Sequence, residues 1–288
     1  MKKYLLFLSL LCFKGIYLNC QKSISINKFT DTLTFDAPVL KPVVPMVTEV
    51  SGIAVSKANP GYLWAQEDSG NSPDLILLSQ EGAISKRIKL QDAINRDWED
   101  MAIAADQVYL GDIGDNNLSY SDYSIYHFTE PNSSIDVIRD YKVIRFKYSD
   151  GAHDAEAFLV DPEKKDIYII TKRDNPSRIY KLKYPQSYSS MNTASYIGSL
   201  TYSGVVSASI SADAKSVIVK TYVGLRLYRK MKGDEDIATI LSGNFTELPY
   251  RLEPQGEAVT FASDGSGYYT LSEKGFSKSV NLYFYRKK

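Results

Sequence analysis

Cysteine and histidine are scarce in this sequence of 288 residues, which contains two of each: Cys12, Cys20, His127 and His153. Cys12 lies within an apolar N-terminal stretch. If that stretch is removed, the remaining chain has no second cysteine and cannot form an internal disulfide. A thiolate zinc site is excluded for the same reason. The fold must therefore be stabilised by burial and sheet pairing.

Neither an excess of one charge nor a familiar catalytic signature is present. Lys and Arg total 34 and Asp and Glu total 34, so no basic field favours a nucleic-acid partner. The sequence has no Gly-x-Ser-x-Gly elbow, no phosphate-binding loop and no His-Glu-x-x-His motif. Aromatic residues are plentiful instead, with 22 Tyr and 11 Phe, and they favour β structure.

The N-terminus has the pattern of an export signal. Lys2 and Lys3 precede an apolar run from Tyr4 to Phe13, which is too short to span a bilayer. We expect a signal peptide over residues 1–19 and a mature, monomeric domain over residues 20–288. Cys20 follows the run as in a bacterial lipobox, which favours an exported envelope lipoprotein that touches the membrane only through a lipid on Cys20. Secretion without a lipid, including into the periplasm, and an uncleaved anchor are the alternatives.

A pattern of short strands recurs five times at intervals of about 50 residues. Each copy starts with a strand that has polar residues at its beginning, and these copies begin at Glu49, Asp97, Asp154, Val206 and Gln255. A turn rich in Asp, Asn, Gly or Pro follows, and then a second and a third strand. Fourth strands are predicted over residues 84–90, 141–148, 196–202 and 236–241.

Repeats of this length with four strands each are typical of a β-propeller. We therefore predict an all-β fold, a single propeller of five four-stranded blades. The last repeat ends after its third strand, so we expect an N-terminal strand over residues 23–35 to complete the last blade. A sixth blade in the longer insertion between Ser119 and Asp150, or a pair of β-sandwich domains, is the alternative.

Acidic residues are concentrated at the starts of the first strands and the ends of the second strands. These positions are adjacent in an antiparallel pair, so in a propeller they meet at one mouth of the central channel. Carboxylate and amide oxygens suit Ca²⁺ better than Zn²⁺. The predicted Ca²⁺ ligands are Glu49, Asp97, Glu99, Asp112, Asp115, Asp154, Glu156, Glu257 and Glu273. Further candidates at this mouth are Asp68, Asp100, Asn116 and Gln255.

The alternation of side chains along a strand predicts which of these acids face the channel. Three glutamates, with two small residues between them, are expected to point towards the axis: Glu99, Glu156, Glu257, Ser51 and Ala208. Asp100 is expected to point the other way, between blades. The alternative is that the acids are structural and accept hydrogen bonds from turns and neighbouring blades.

Two residues beside the acids are candidates for catalysis. Lys172 is placed to stabilise a developing anion, and His153 or Glu156 to act as a base. In the alternative interpretation Lys172 is the counter-ion of the acids.

Several short motifs resemble those of bacterial propellers of the SdiA-regulated type and, more distantly, phytase-like and esterase-like-of-phytase propellers. The motifs are Ser51-Gly52-Ile53-Ala54, Asp97-Trp98-Glu99-Asp100-Met101-Ala102, Gly111-Asp112-Ile113-Gly114-Asp115-Asn116, His153-Asp154-Ala155-Glu156-Ala157, Thr171-Lys172, Gln255-Gly256-Glu257-Ala258 and Ser272-Glu273. The resemblance implies a Ca²⁺-binding acidic mouth, and its phytase-like members cleave phosphomonoesters. Only Lys172 and Arg173 supply positive charge on the predicted rim, where a phytase needs a cluster of Lys and Arg.

Two functions follow from these observations. The first is an exported propeller that binds Ca²⁺ and a small-molecule or protein ligand at its mouth. The second is a metal-dependent hydrolase of a phosphoester, ester or lactone, in which the cation polarises the substrate oxygen or the attacking water.

Overall fold

Strands make up nearly all the regular structure of the computed structural model, which describes residues 34–234 and 236–288. These ranges contain twenty-one strands and one helix of six residues. No helix within them is long and apolar enough to cross a membrane. The predicted signal peptide and residues 23–33 of the predicted N-terminal strand lie outside the described residues.

The strands form antiparallel units of four, and most units are made of consecutive strands. The first described strand, β1 (Val39–Pro42), belongs to the last unit. The first unit comprises β2 (Val50–Val55), β3 (Tyr62–Glu67), β4 (Asp74–Ser79) and β5 (Ile84–Leu90). The second comprises β6 (Trp98–Ala104), β7 (Gln107–Asp112), β8 (Tyr123–Thr129) and, after the two-residue β9 (Val137–Ile138), β10 (Lys142–Tyr148).

The remaining three units follow the same plan. The third comprises β11 (Ala155–Val160), β12 (Ile167–Thr171), β13 (Arg178–Leu182) and β14 (Asn192–Ser199). The fourth comprises β15 (Val205–Ile210), β16 (Ser216–Thr221), β17 (Gly224–Arg229) and, after α1 (Ile237–Ser242), β18 (Phe245–Leu248). The fifth comprises β19 (Gly256–Phe261), β20 (Gly267–Ser272), β21 (Asn281–Arg286) and β1.

Two parallel pairings connect units at their outer edges. The short strand β9 pairs with β5 of the first unit, and β10 pairs with β14, which joins the second and third units into one eight-stranded sheet. Residues 119–150 are all described, and their strands are β8, β9 and β10. The insertion that was the alternative location of a sixth blade therefore adds an edge strand to the first unit and no further four-stranded unit.

Two strand predictions are wrong in position or type. The strand beside β21 is β1, which begins at Val39, beyond the predicted range of 23–35, although Phe35 also forms an isolated bridge with Lys287. Residues 237–242 form a helix instead of an edge strand, because the side chain of Asp236 accepts the N–H of Thr239 at 3.0 Å and caps its start. The fourth strand of that unit follows the helix.

The hydrophobic core lies between the units. Five buried clusters are present, and each combines residues of two units: first with second, second with third, third with fourth, fourth with fifth, and fifth with first. The first strands pack in the same order, since β2 contacts β6, β6 contacts β11, β11 contacts β15, β15 contacts β19 and β19 contacts β2. Each sheet thus buries its faces against its neighbours, and the described residues have an all-β, propeller-like architecture.

Every unit carries a β-bulge at the same point of its first strand. The register with the second strand shifts by one residue there, and the extra residues are Ser51, Glu99, Glu156, Val206 and Glu257. A bulge interrupts the alternation of side chains along a strand. Strict alternation therefore assigns the residues after the bulge to the wrong face of the sheet. In the fourth unit the bulge falls on Val206, so Val206 and not Ala208 is the equivalent of Glu99.

Candidate metal centre

The residues that precede the bulges, the bulged residues and the residues that follow the second strands lie together, and we call this surface the mouth. After the second strand the five units place Asp68, Ile113, Lys172, Tyr222 and Glu273 at equivalent positions. The backbone N–H of Asp68 donates to the carbonyl of Glu49 at 2.8 Å, and that of Lys172 donates to the carbonyl of Asp154 at 2.9 Å. These bonds hold the start of the first strand beside the end of the second, as the antiparallel argument predicts.

Three carboxylates from the first two units form the tightest acidic cluster. One oxygen from each of Asp68, Asp97 and Glu99 lies within 4.8 Å of the other two. The backbone of Gly114 closes one side, since a Cβ at Gly114 would overlap the carboxylates of Glu99 and Asp97. This cluster has the donor set and the separation that a hard cation such as Ca²⁺ uses.

Glu99 is the most buried member of this cluster. Its side chain is only 3% exposed, and no group in residues 34–234 or 236–288 donates a hydrogen bond to it. Burial, and then the nearby charges of Glu156, Asp68 and Asp97, raise the pKa of Glu99 well above its ordinary range. Burial and Asp68 likewise raise the pKa of Asp97 to about 7. A buried carboxylate without donors is costly unless a proton or a cation offsets its charge.

A second group at the mouth is organised by Lys172. Its Nζ donates to Glu156 Oε1, donates to the Tyr222 hydroxyl at 3.0 Å, and lies 4.0 Å from Glu257 Oε1. Tyr222 in turn donates to Glu257. Burial lowers the pKa of Lys172, but the attraction of Glu156 and these hydrogen bonds outweigh burial and raise it. Lys172 is therefore a protonated counter-ion that joins the third, fourth and fifth units.

Lys172 does not supply hydrogen bonds or positive charge to all of the carboxylates around it. The second oxygen of Glu156, Oε2, is buried and has no hydrogen-bond partner among the described residues. Burial raises the pKa of Glu156 well above its usual range in spite of the ion pair with Lys172. Burial and the charge of Glu257 raise the pKa of Glu273 to about 8. The mouth therefore holds more carboxylates than its own cations and donors balance.

Other predicted ligands hold loops in place. Asp112 accepts the N–H of Asp97 at 2.7 Å. The two oxygens of Asp115 accept the N–H groups of Ser119 and Tyr120 and the hydroxyl of Tyr123. These contacts support the structural alternative for Asp112 and Asp115.

The remaining rim residues also have local partners. Asp154 accepts the N–H of Asp115 at 2.9 Å and lies 2.7 Å from Nε of Arg173, whose guanidinium also donates to Asn116. Glu49 accepts a hydrogen bond from Asn71 at 2.7 Å on an exposed edge of the mouth. The backbone carbonyl of Gln255 accepts the N–H of Glu273.

The prediction for Asp100 is wrong. Asp100 does not point between neighbouring blades: its carboxylate accepts the N–H of Ala208 at 3.2 Å and lies 3.3 Å from the hydroxyl of Ser207, both in the fourth unit. The bulge at Glu99 is the cause, because the residue after a bulge no longer follows the alternation.

His153, the predicted base, belongs to a separate polar cluster. Its Nδ1 lies 2.9 Å from Asp174, and its Nε2 lies 2.8 Å from the Tyr180 hydroxyl and 3.3 Å from Asp150. Both ring nitrogens are thus engaged, and none of the bonds found for His153 reaches Glu99, Glu156 or Glu257.

Sequence reasoning did not assign roles to two residues of the site. Tyr222 bridges Lys172 and Glu257, and its position is equivalent to that of Lys172 and Glu273 in their units, so alignment of the second strands would have indicated it. Gly114 forms the wall of the acidic cluster, and only its place in a loop of alternating Gly and Asp marks it in the sequence.

Comparisons with known proteins give similarity of structure only. No protein-family model matches the sequence, and no curated protein matches it either. Among solved structures, RRP9 WD40 repeats align at 10% identity with a TM-score of 0.48, covering 88% of this chain and 100% of that one. Hydrazine synthase of Kuenenia stuttgartiensis aligns at 10% identity with a TM-score of 0.43, covering 81% of this chain and 70% of that one. A nidogen/laminin complex aligns at 12% identity with a TM-score of 0.43, covering 78% of this chain and 72% of that one.

Proposed function

We propose that this chain is an exported, closed five-bladed β-propeller that binds one Ca²⁺ ion, and with it a ligand, at its acidic mouth. Ring closure is supported by the cluster between the fifth and first units and by the contact of β19 with β2. In this proposal β1 is the outer strand of the last blade, and a lipid on Cys20 attaches a monomeric protein to the cell envelope.

The observation that carries the metal proposal is the state of Glu99. Glu99 is 3% exposed, its carboxylate has no hydrogen-bond donor among the described residues, and it lies in the three-carboxylate cluster with Asp68 and Asp97. A cation there would replace the missing donors and offset the repulsion among the three acids. Asp68, Asp97 and Glu99 would hold the ion, and the Lys172 group would remain beside it.

A hydrolase that uses the same cation is the second candidate, and one observation favours it. Lys172 is a protonated donor beside the acidic cluster, where it can stabilise an oxyanion. Among the predicted bases, Glu156 has the free buried oxygen, whereas both nitrogens of His153 are bonded. Turnover of phosphoesters, esters or lactones that is lost in Lys172→Met would favour this candidate.

Thermal unfolding with excess Ca²⁺ and with chelator tests the metal site. A ligand that binds only the folded state at a thousand times its dissociation constant adds about 4 kcal/mol to the free energy of unfolding. We expect a rise in melting temperature that chelator reverses and that Glu99→Gln abolishes. Glu163→Gln, a change at an exposed acid in a turn, is the matched control and should keep the rise. No shift with any divalent cation would refute the metal proposal.

A further inference from the structure

Large apolar side chains are exposed around the mouth. Strands alternate in direction within a unit, so the loops between second and third strands, and those that lead into each first strand, all lie at the mouth end. We call six exposed apolar residues of these loops the apolar collar: Met46, Ile94, Leu118, Val223, Leu252 and Phe276. Phe276 is fully exposed, and Val223 is 76% exposed.

The collar holds six of the sixteen large apolar side chains that are exposed in the described residues. Single exposed apolar residues are ordinary, so the collar indicates an interaction surface because it shares one end of the units with the acidic mouth. Members of the collar come from loops of the first, second, fourth and fifth units, so they are distributed over four of the five units at the mouth end. A ligand that contacts several of them has to extend over more than one unit.

The charge of the mouth selects the kind of ligand. Seven carboxylates lie close enough at the mouth to influence one another's charge: Glu49, Asp68, Asp97, Glu99, Glu156, Glu257 and Glu273. Lys172 is in contact with two of them, Glu156 and Glu257. When these carboxylates are ionised, Lys172 and one divalent cation offset three of the seven negative charges and leave the surface negative. Anionic ligands, including anionic lipid headgroups, are therefore disfavoured, and a cationic group is complementary.

We propose that the mouth and the apolar collar together bind a polypeptide that inserts a Lys or Arg side chain into the mouth and packs its apolar neighbours on Leu252 and Phe276. The inference rests on the proposed function only in that it uses the same mouth. It names the partner as a basic and apolar peptide segment. Aromatic residues and Arg are enriched among the residues that carry most of the binding energy at protein interfaces.

Selection of random displayed peptides on the immobilised protein, with Ca²⁺ present, tests this proposal. We expect enriched peptides to share a Lys or Arg between apolar residues. The affinity of an enriched synthetic peptide, measured by fluorescence anisotropy, should fall at least about tenfold when its basic residue becomes Glu. The double variant Leu252→Ser/Phe276→Ser should cause a similar loss. Met231→Ser is the matched control, since Met231 is 55% exposed in a loop at the opposite end, and should bind normally.

The other outcomes overturn the proposal. They are an absence of enrichment, enrichment of peptides without a basic residue, and equal binding to the double variant. Binding of the protein to phosphatidylcholine–phosphatidylglycerol vesicles that depends on Leu252 and Phe276 would assign the collar to a membrane instead. Because both residues are exposed and distant in sequence from Glu99, the double variant should keep the Ca²⁺-dependent rise in melting temperature. The peptide result and the Ca²⁺ result can therefore fail separately.

Discussion

Asp100 in the second unit accepts a hydrogen bond from the backbone N–H of Ala208 in the fourth unit at 3.2 Å. The second unit packs its first strand mainly against those of the first and third units, so this bond joins two units that are not successive along the chain. The same carboxylate accepts the N–H of Met101 at 2.9 Å and lies 3.3 Å from the Ser207 hydroxyl, which also accepts the N–H of Val259 in the fifth unit. One buried acid therefore ties three units together below the mouth.

Asp100→Ala should lower the free energy of unfolding by about 2–4 kcal/mol. The change leaves the Ala208 N–H and the Ser207 hydroxyl buried without their acceptor, and each such loss costs about 1–3 kcal/mol. Urea denaturation followed by circular dichroism measures the effect. Asp100→Asn keeps one carbonyl acceptor and should lose less free energy of unfolding. Comparing the two variants separates the effect of the hydrogen bonds from the effect of the charge. An unchanged midpoint for Asp100→Ala, with Glu163→Ala as the surface control, would contradict this role.

Glu130→Ala should destabilise the contact between the first two units. The carboxylate of Glu130 accepts hydrogen bonds from four groups of the first unit: the Ser56 hydroxyl at 2.6 Å, the Lys57 N–H at 3.0 Å, the Ala58 N–H at 3.1 Å and Trp64 Nε1 at 2.9 Å. Removing the acceptor leaves several donors unpaired, so we expect a loss of about 3 kcal/mol in the free energy of unfolding. The emission of Trp64 should also change in the folded protein. A loss under about 0.5 kcal/mol would mean that water replaces Glu130 at little cost.

The strands were predictable because their apolar residues are required by the architecture. Each unit buries both faces between neighbours, so segments such as Ile167–Thr171 are buried throughout, mostly apolar, and bounded by turns. Turn residues marked the ends of these strands correctly. The helix differs from the edge strand predicted over residues 236–241, although Asp236 and the buried Ile237, Ile240 and Leu241 have the cap and the spacing of a helix.

The orientation of the acids could not be predicted from alternation. A bulge adds one residue to a strand, and here the bulged residues are of different types, such as Ser51, Glu99 and Val206. No residue type identifies a bulge in the sequence, yet each bulge changes the face of the sheet on which the following residues of its strand lie. The region of the site was therefore predictable from the acids, whereas the partners of Asp100 and the equivalence of Val206 required three-dimensional register.

Glu253→Gln should change how stability depends on pH. Burial raises the pKa of Glu253 to about 7, in spite of the nearby Lys220, and its Oε2 has no hydrogen-bond partner among the described residues. A carboxyl whose pKa is higher in the folded state binds more protons when folded, so its contribution to stability is present below about pH 4.5 and is lost as the pH rises through 7. Wild type should lose about 2–3 kcal/mol more than Glu253→Gln between pH 4.5 and 7.5.

Urea denaturation at both pH values, in chelator, checks this prediction. Chelator removes cation binding at the mouth from the comparison. Lys220, whose pKa burial lowers, contributes in the opposite direction, but only at higher pH, where the unfolded state binds more protons. Equal pH dependence in the two proteins would show that Glu253 is ionised in the folded state throughout this range.

Gly114→Ala should damage the cation site more than it damages the fold. Any Cβ at this position overlaps the carboxylates of Asp97 and Glu99, so the two acids have to move apart. Because Ca²⁺ affinity depends on several oxygens at fixed separation, we expect its dissociation constant to rise at least about tenfold, or about 1.4 kcal/mol. Isothermal titration calorimetry with Ca²⁺ measures this directly. Gly224→Ala is the matched control, since a Cβ there meets nothing within 4 Å. If Gly114→Ala bound Ca²⁺ as tightly as Gly224→Ala, the ion would have to lie elsewhere on the mouth, and the Lys172 group with the free oxygen of Glu156 would be the next place to test.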